Sequence, residues 1–274
     1  MSRTLIEPRH VPGQVILGDC LEVLRSLPGE TADLCYLDPP FNTGAARADR
    51  AGRFEDAWET MGAYIEFLRL RVAEARRCLR PSGSILVHVD WRTTPHVQLM
   101  LDDVFGAGHF VNHLVWVYGL GGSSPRRFAR KHDDVFFYSR AQGYFFDPPM
   151  VPATSVRMKG MMKKASDVIN IPSINNMSAE RTGYPTQKPL ALLELLVCAC
   201  CPAGGLVIDP FCGSGTTLAA AAGSGRRWLG IDVNADAVRL SRERLAAIER
   251  RESASREHGQ NPPARMASRL TGKG

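Results

Sequence analysis

The chain has 274 residues, 44% of them hydrophobic and 23% charged, which is room for one large α/β domain or two small ones with a sizeable core. A formal net charge of +6 suits a polyanionic partner without demanding one. Seven cysteines, three of them in the apolar helix-like run Cys198-Ala199-Cys200-Cys201 where they read as small buried hydrophobes and no histidine cluster accompanies them, argue against a disulfide framework or a cysteine metal site and for a reducing, cytoplasmic setting, while the longest apolar run, Leu190 to Cys201, holds Glu194 and is too short to span a membrane.

The first thirteen residues carry no apolar stretch of signal-peptide length. A short strand is expected from Gln14 to a turn at Gly18-Asp19, then a short helix over Cys20 to Ser26 with leucines at helical spacing. Ala32 to Leu37 reads as a buried strand that stops at Asp38-Pro39-Pro40, because two prolines neither continue a strand nor enter a helix interior. Residues 42–57, rich in Arg, Gly and Ala, read as an exposed mobile loop. Met61 to Leu79 has an apolar stripe (Ile65, Leu68, Val72, Ala75, Leu79) and arginines on the opposite face, the pattern of an amphipathic helix stopped by Pro81-Ser82-Gly83.

Ser84 to Val89 is continuously apolar, as in a parallel strand covered on both faces. A helix from Pro95 to Phe105 and strands at Val111–Tyr118 and Asp134–Ser139 follow. Residues 147–183 lose periodicity, carry Pro, Ser and Asn punctuation, and read as an insertion. The rhythm returns with a helix from Leu190 and a strand over Gly205 to Ile208. The turn Asp209-Pro210-Phe211-Cys212-Gly213-Ser214-Gly215-Thr216-Thr217 leads into an Ala-rich helix. A strand over Arg227 to Ile231 ends at Asp232, a helix covers Ala235 to Arg250, and a polar basic tail from 251 is expected to be disordered.

Strands alternating with helices predict an α/β fold, a mostly parallel sheet with helices on both faces. Such sheets bind ligands beyond the carboxyl ends of their strands, where Asp38, Asp209 and Asp232 all fall. In the 209–217 turn, Gly213 and Gly215 let backbone approach a ligand closely. The third glycine of a dinucleotide fingerprint is replaced by Leu218, and no lysine follows as in a phosphate loop. Asp232, ending the next strand, can accept ribose hydroxyls. A ligand with a ribose but no essential phosphate, such as S-adenosylmethionine, fits both observations. At Asp38-Pro39-Pro40-Phe41 the carboxylate and the Pro39 carbonyl can both accept from one amino group, and Phe41 offers a face for a base to stack on.

These motifs resemble those of DNA amino-methyltransferases. Asp38-Pro39-Pro40-Phe41 is similar to their catalytic (D/N/S)PP(Y/F/W) motif, and Asp209 to Gly215 to their DPFxGxG cofactor motif. Gly18-Asp19-Cys20-Leu21, His132 to Tyr138 and Thr186-Gln187-Lys188-Pro189 resemble three further motifs, and their order is that of the permuted β group. The resemblance implies a Rossmann-like methyltransferase fold, with a catalytic half over 14–146, a target-recognition insertion over 147–183, a cofactor half over 184–250 and a tail over 251–274. It implies S-adenosylmethionine bound by Asp19, Cys20, Thr186, Lys188, Asp209, Phe211, Gly213, Gly215, Thr216, Thr217, Asp232 and Asn234. It implies transfer to the exocyclic amino group of a flipped base in double-stranded DNA, with no metal.

An Asp at the first motif position leans the reading to adenine N6 over cytosine N4. The unpermuted RNA and protein-glutamine methyltransferases are disfavoured by motif order. Lys188 is expected at the cofactor carboxylate. Arg47, Arg50 and Arg53 after the catalytic corner, and Arg126, Arg127, Arg130 and Lys131 before His132, are the expected phosphate contacts. The resemblance also admits a homodimer and a cognate restriction endonuclease as partners.

Overall fold

A computed structural model describes residues 13–49, 52–119, 124–153, 155–175 and 178–257, with backbone alone for 45–49, 52–56 and 251–257. The first half runs β1 (Gln14–Leu17), α1 (Cys20–Ser26), β2 (Ala32–Leu37), β3 (Ala45–Asp49), β4 (Gly52–Asp56), α2 (Met61–Cys78), β5 (Leu79–Val89) and α3 (Thr94–Phe105). Then come β6 (Phe110–Val117), β7 (His132–Ser139), β8 (Met150–Pro152), β9 (Met162–Lys164) and β10 (Val168–Asn170). The chain continues with α4 (Leu190–Cys200), β11 (Leu206–Asp209), α5 (Thr216–Gly223), β12 (Arg227–Asp232) and α6 (Ala235–Glu257).

Eight strands form one sheet in the order β1-β12-β11-β2-β5-β7-β6-β10. Every neighbouring pair is parallel except the two that involve β7, which runs antiparallel to β5 and β6. The strand alternation divides the core in two. Cys35, Leu37, Ile85 and Val87 face α1, α2 and α3, whereas Leu34, Tyr36, Leu86 and Val207 face α4, α5 and α6. All six residues of β2 are buried, as a central parallel strand requires.

The sheet confirms a mostly parallel α/β fold, and four local readings are corrected. Residues 45–56 form an antiparallel hairpin, β3–β4, instead of a loop; its alternation of small and charged residues holds few of the β-branched and aromatic types that mark strands. β5 begins at Leu79 and runs through Pro81-Ser82-Gly83, with an irregularity in its pairing with β2 that absorbs the proline. The segment 147–183 is not wholly apart from the core: β10 pairs in parallel with β6, and Ile169 and Ile171 are buried. α6 continues to Glu257, past the expected end at 250; of the expected tail, 258–274 lie outside the described residues. The seven cysteines are free and buried. Among the described residues no helix is long and apolar enough to cross a membrane.

Candidate active site

Strand register brings the two key turns together. β2 and β11 are adjacent and parallel, with Cys35 opposite Ile208. Both strands then end at the same edge of the sheet, about 5 Å apart. The chain leaves β2 into Asp38-Pro39-Pro40-Phe41, and β11 closes on Asp209 before the glycine turn. A cavity of about 1400 Å³ lies over this edge, lined by all four residues of the proline motif, by Asp209 to Ser214 and by Asp232.

The glycine turn is shaped by contacts on both sides. Gly213 and Gly215 sit at φ 48° and 72°, in the left-handed region. A Cβ on Gly213 would lie 3.0 Å from the Tyr184 ring, and one on Gly215 would lie 2.8 Å from Ser241 Oγ. Ser241 Oγ donates to the Gly213 carbonyl at 2.7 Å, and half-buried Arg244 donates to the Ser214 carbonyl and to Thr216 Oγ1. Asp232 accepts the Gly213 N–H on Oδ2 and the Asn234 N–H on Oδ1, each at 2.8 Å. With the Val233 N–H also bonded to the carboxylate, acceptor capacity is left for a further donor.

The acids feel one another electrostatically. Asp209 is pushed up to about 7, first by burial, then by the charges of Asp38 and Asp232, against hydrogen bonds from Thr217 and the Phe211 N–H. Burial likewise raises Asp232. Asp19 caps α1 through the Leu21 N–H and accepts from Arg71 Nη2 at 2.7 Å. The Cys20 thiol is pushed up to about 11 by burial, so it is an inert wall residue beside Arg71.

Lys188 has a partner the sequence did not suggest. Its ammonium lies 2.8 and 2.6 Å from the two Asp38 oxygens and 5.0 Å from the Phe41 ring centre, and the residue is buried. In this structure it holds the proline-motif acid; it was expected at a cofactor carboxylate. Gln187 folds the loop that delivers it, accepting from Thr182 and donating to the Glu180 carbonyl.

Asp19, Cys20, Thr186, Lys188, Phe211, Thr216, Thr217 and Asn234 all line the cavity; Gly215 does not, and acts through the backbone shape it permits. Arg127 and Arg130 reach the cavity, and the Arg130 guanidinium stacks 3.3 Å over the Trp91 ring. Arg126 is exposed outside it, and Lys131 donates to the Gly119 carbonyl. Arg50 and the side chains of Arg47 and Arg53 lie outside the described residues. Sequence reasoning missed Arg71, which it set on the solvent face of α2 but which is buried over Phe67 at 3.6 Å. It also missed Tyr36, Trp91, Trp116 and Tyr118, which line the cavity, and His88, fully buried behind Phe41. A histidine and an aspartate interrupting the apolar run Ile85 to Asp90 were the available signal.

A family model for N6/N4 methyltransferases, described as DNA methylase, matches residues 32–243, most of the chain. The chain belongs to the N6/N4 DNA methylase family. The methylase is 28% identical to the DNA adenine methyltransferase YhdJ of Escherichia coli (strain K12) over 263 residues, covering 89% of this chain and 87% of that protein. It is also 28% identical to the type II methyltransferase M.ScaI of Streptomyces caespitosus, over 90% of this chain and 86% of that one. Among solved structures, the cytosine-N4-specific PvuII DNA methyltransferase superposes with a TM-score of 0.63 at 20% identity, covering 88% of this chain and 92% of that one. The M1.HpyAVI–SAM complex superposes with a TM-score of 0.60 at 20% identity, over 85% and 98%. At these identities the superpositions speak for the fold. The family assignment makes the chain an S-adenosylmethionine-dependent DNA methyltransferase acting on exocyclic amino groups.

Proposed function

We propose that this methylase modifies the N6 amino group of adenine in double-stranded DNA, on a base turned out of the helix into the cavity beside Asp38. The observation that carries this reading is the shared cavity: the proline-stiffened acid and the glycine turn open onto the same space. An amino group inside a base pair is out of reach of such a wall, so the base must leave the stack. The cavity volume of about 1400 Å³ exceeds the usual range for a single small ligand, in keeping with a nucleoside cofactor and a base together.

The donor set fits S-adenosylmethionine. Asp232 keeps acceptor capacity for ribose hydroxyls while its own backbone bonds fix it. Phe211, Gly213, Thr216 and Thr217 would shape the methionine end, Gly215 setting the turn, with Asp19, Cys20, Thr186 and Asn234 completing the wall. When bound, this cofactor supplies an electrophilic methyl group. Asp38 and the Pro39 carbonyl accept the two N–H bonds of the amino group and draw its lone pair out of ring conjugation. Phe41 stacks on the base, a contact worth about 1–3 kcal/mol. Lys188 holds Asp38 in the wall, and an arriving amino group takes over part of that hydrogen bonding. The rate gain then comes from positioning and fixed electrostatics.

Arg127 and Arg130 at the cavity, with Arg126 and Lys131 beside them, are suited to phosphates flanking the extruded base. The segment 147–183, with its β8–β9 hairpin, is the candidate target reader. Adenine is favoured by Asp38 at the first motif position and by the YhdJ relative. Cytosine N4 is the second reading, favoured by the PvuII neighbour, since both amino groups offer Asp38 the same donors. Relatives named type II methyltransferases support a cognate restriction endonuclease as partner. Incubation with S-adenosylmethionine and duplex DNA, followed by nucleoside mass spectrometry, decides the base. N6-methyladenine is expected; N4-methylcytosine alone would replace the first reading by the second, and methyl label found only in RNA or protein would remove both.

A further inference from the structure

Behind Phe41 lies a line of buried and half-buried polar side chains that the proposed transfer reaction does not use. Tyr36 on β2 bonds through its hydroxyl to His88 Nδ1 on β5 at 2.8 Å. His88 Nε2 meets Asp133 Oδ2 on β7 at 3.2 Å. The other Asp133 oxygen accepts from the hydroxyl of Tyr118, which follows β6, at 2.9 Å. The four residues step across four adjacent strands in sheet order, β2-β5-β7-β6. Each is donated by an element that ends at or near the cavity edge, and Tyr36, Tyr118 and Asp133 line the cavity itself.

The Asp133 end of the chain has a direction. Burial alone would raise the Asp133 carboxyl, but the His88 hydrogen bond, the His88 and Lys188 charges and the Tyr118 hydroxyl outweigh it and hold it below the ordinary range. An ionised carboxylate only accepts, so both Tyr118 and His88 Nε2 donate to it. His88 Nδ1 pairs with the Tyr36 hydroxyl. Burial and the neighbouring Asp38 charge keep that phenol protonated. The Tyr36 hydroxyl is thus committed to His88.

His88 is also the platform under the proline motif. Its ring is fully buried, and Phe41 stacks on it with centroids 5.9 Å apart and planes at 28°. Trp116 and Tyr36 meet it edge-on, at 5.7 and 6.3 Å. Two hydrogen bonds and three rings leave the imidazole one orientation, and Phe41 inherits it.

We propose that His88 is a positioning residue for methyl transfer: the Tyr36–His88–Asp133–Tyr118 chain locks the imidazole, and the imidazole fixes the Phe41 ring against which the target base is set. The inference rests on the methyltransferase reading and deepens it. It concerns alignment, so it acts on turnover more than on binding. A misplacement of about 1 Å at a reacting centre costs on the order of a hundredfold in rate.

The test compares His88→Leu, His88→Gln and Tyr36→Phe with the wild type under steady-state and single-turnover conditions. Leucine fills similar space and breaks both hydrogen bonds. Glutamine offers an N–H to Asp133 and a carbonyl to Tyr36. For His88→Leu, kcat is expected to fall about ten- to a hundredfold, with S-adenosylmethionine and DNA dissociation constants within about threefold of wild type, and His88→Gln is expected to recover most of the loss. A folded His88→Leu with unchanged kcat overturns the inference. So does a loss of cofactor affinity in step with kcat, or a glutamine variant as slow as the leucine one. If His88→Leu does not fold, Tyr36→Phe decides: it removes one hydroxyl, and a kcat lowered several-fold at unchanged affinities supports the chain, whereas wild-type kcat overturns it. A wild-type protein that methylates no DNA is a different failure; it removes the functional reading, and this inference with it.

Discussion

In the proposed reaction single side chains carry the chemistry, and two of them give separable tests. Asp38 is bonded only to Lys188 among the described residues and faces the cavity. Asp38→Ala is expected to abolish methyl transfer while leaving S-adenosylmethionine affinity within about tenfold, as measured by calorimetry; lost cofactor binding would mean that the acid serves the fold or the cofactor instead. Asp209 gives a pH test. Its folded pKa, about 7, lies above the ordinary carboxylate value, so the proton it takes up on folding stabilises the chain below that ordinary value. That contribution is lost as pH rises through about 7. Thermal melting of the cofactor-free protein from pH 5 to 8.5 should therefore fall more steeply for wild type than for Asp209→Asn. Parallel profiles would show that Asp209 is not carrying a buried charge. These acids were legible in the sequence because proline and glycine mark the turns that bear them. His88 and Arg71 were not, because their burial and bonding depend on partners 45 to 52 residues away along the chain.

Elements explain which parts of the fold could be read in advance. Strands buried on both faces, such as β2 and β11, announce themselves as short apolar runs ending at special residues. The β3–β4 hairpin and β10 did not, since pairing at a sheet edge tolerates polar residues and needs little apolar periodicity. The turn between β11 and α5 is the element most sensitive to a single methyl group. Gly215 has φ 72°, and a Cβ there would press on Ser241. Gly215→Ala is expected to cost about 1–3 kcal/mol of stability, seen in denaturant melts, and to weaken S-adenosylmethionine binding more than DNA binding. A variant with wild-type stability and cofactor affinity would mean that the turn is looser than its contacts imply.

For the molecule as a whole, the sheet order does what motif order along the chain does not: it sets β2 beside β11, although 150 residues separate Lys188 from Asp38. The net charge of +6 gains meaning only with this geometry, because Arg127 and Arg130 then stand at the cavity. Neutralising Arg126, Arg127, Arg130 and Lys131 together should weaken DNA binding at every sequence tested. It should also flatten the plot of log affinity against log salt by about 0.9 for each lost phosphate contact. An unchanged slope would move the DNA face elsewhere.

The proposed transfer requires that one cavity bring a held amino nitrogen to the cofactor's methyl group. A crystal structure of the full chain with an unreactive S-adenosylmethionine analogue and its target duplex measures that directly. The amino nitrogen is expected on Asp38 and the Pro39 carbonyl, about 3–3.5 Å from the position of the methyl carbon. An analogue seated away from the 209–217 turn, or a base held too far off for transfer, would contradict it.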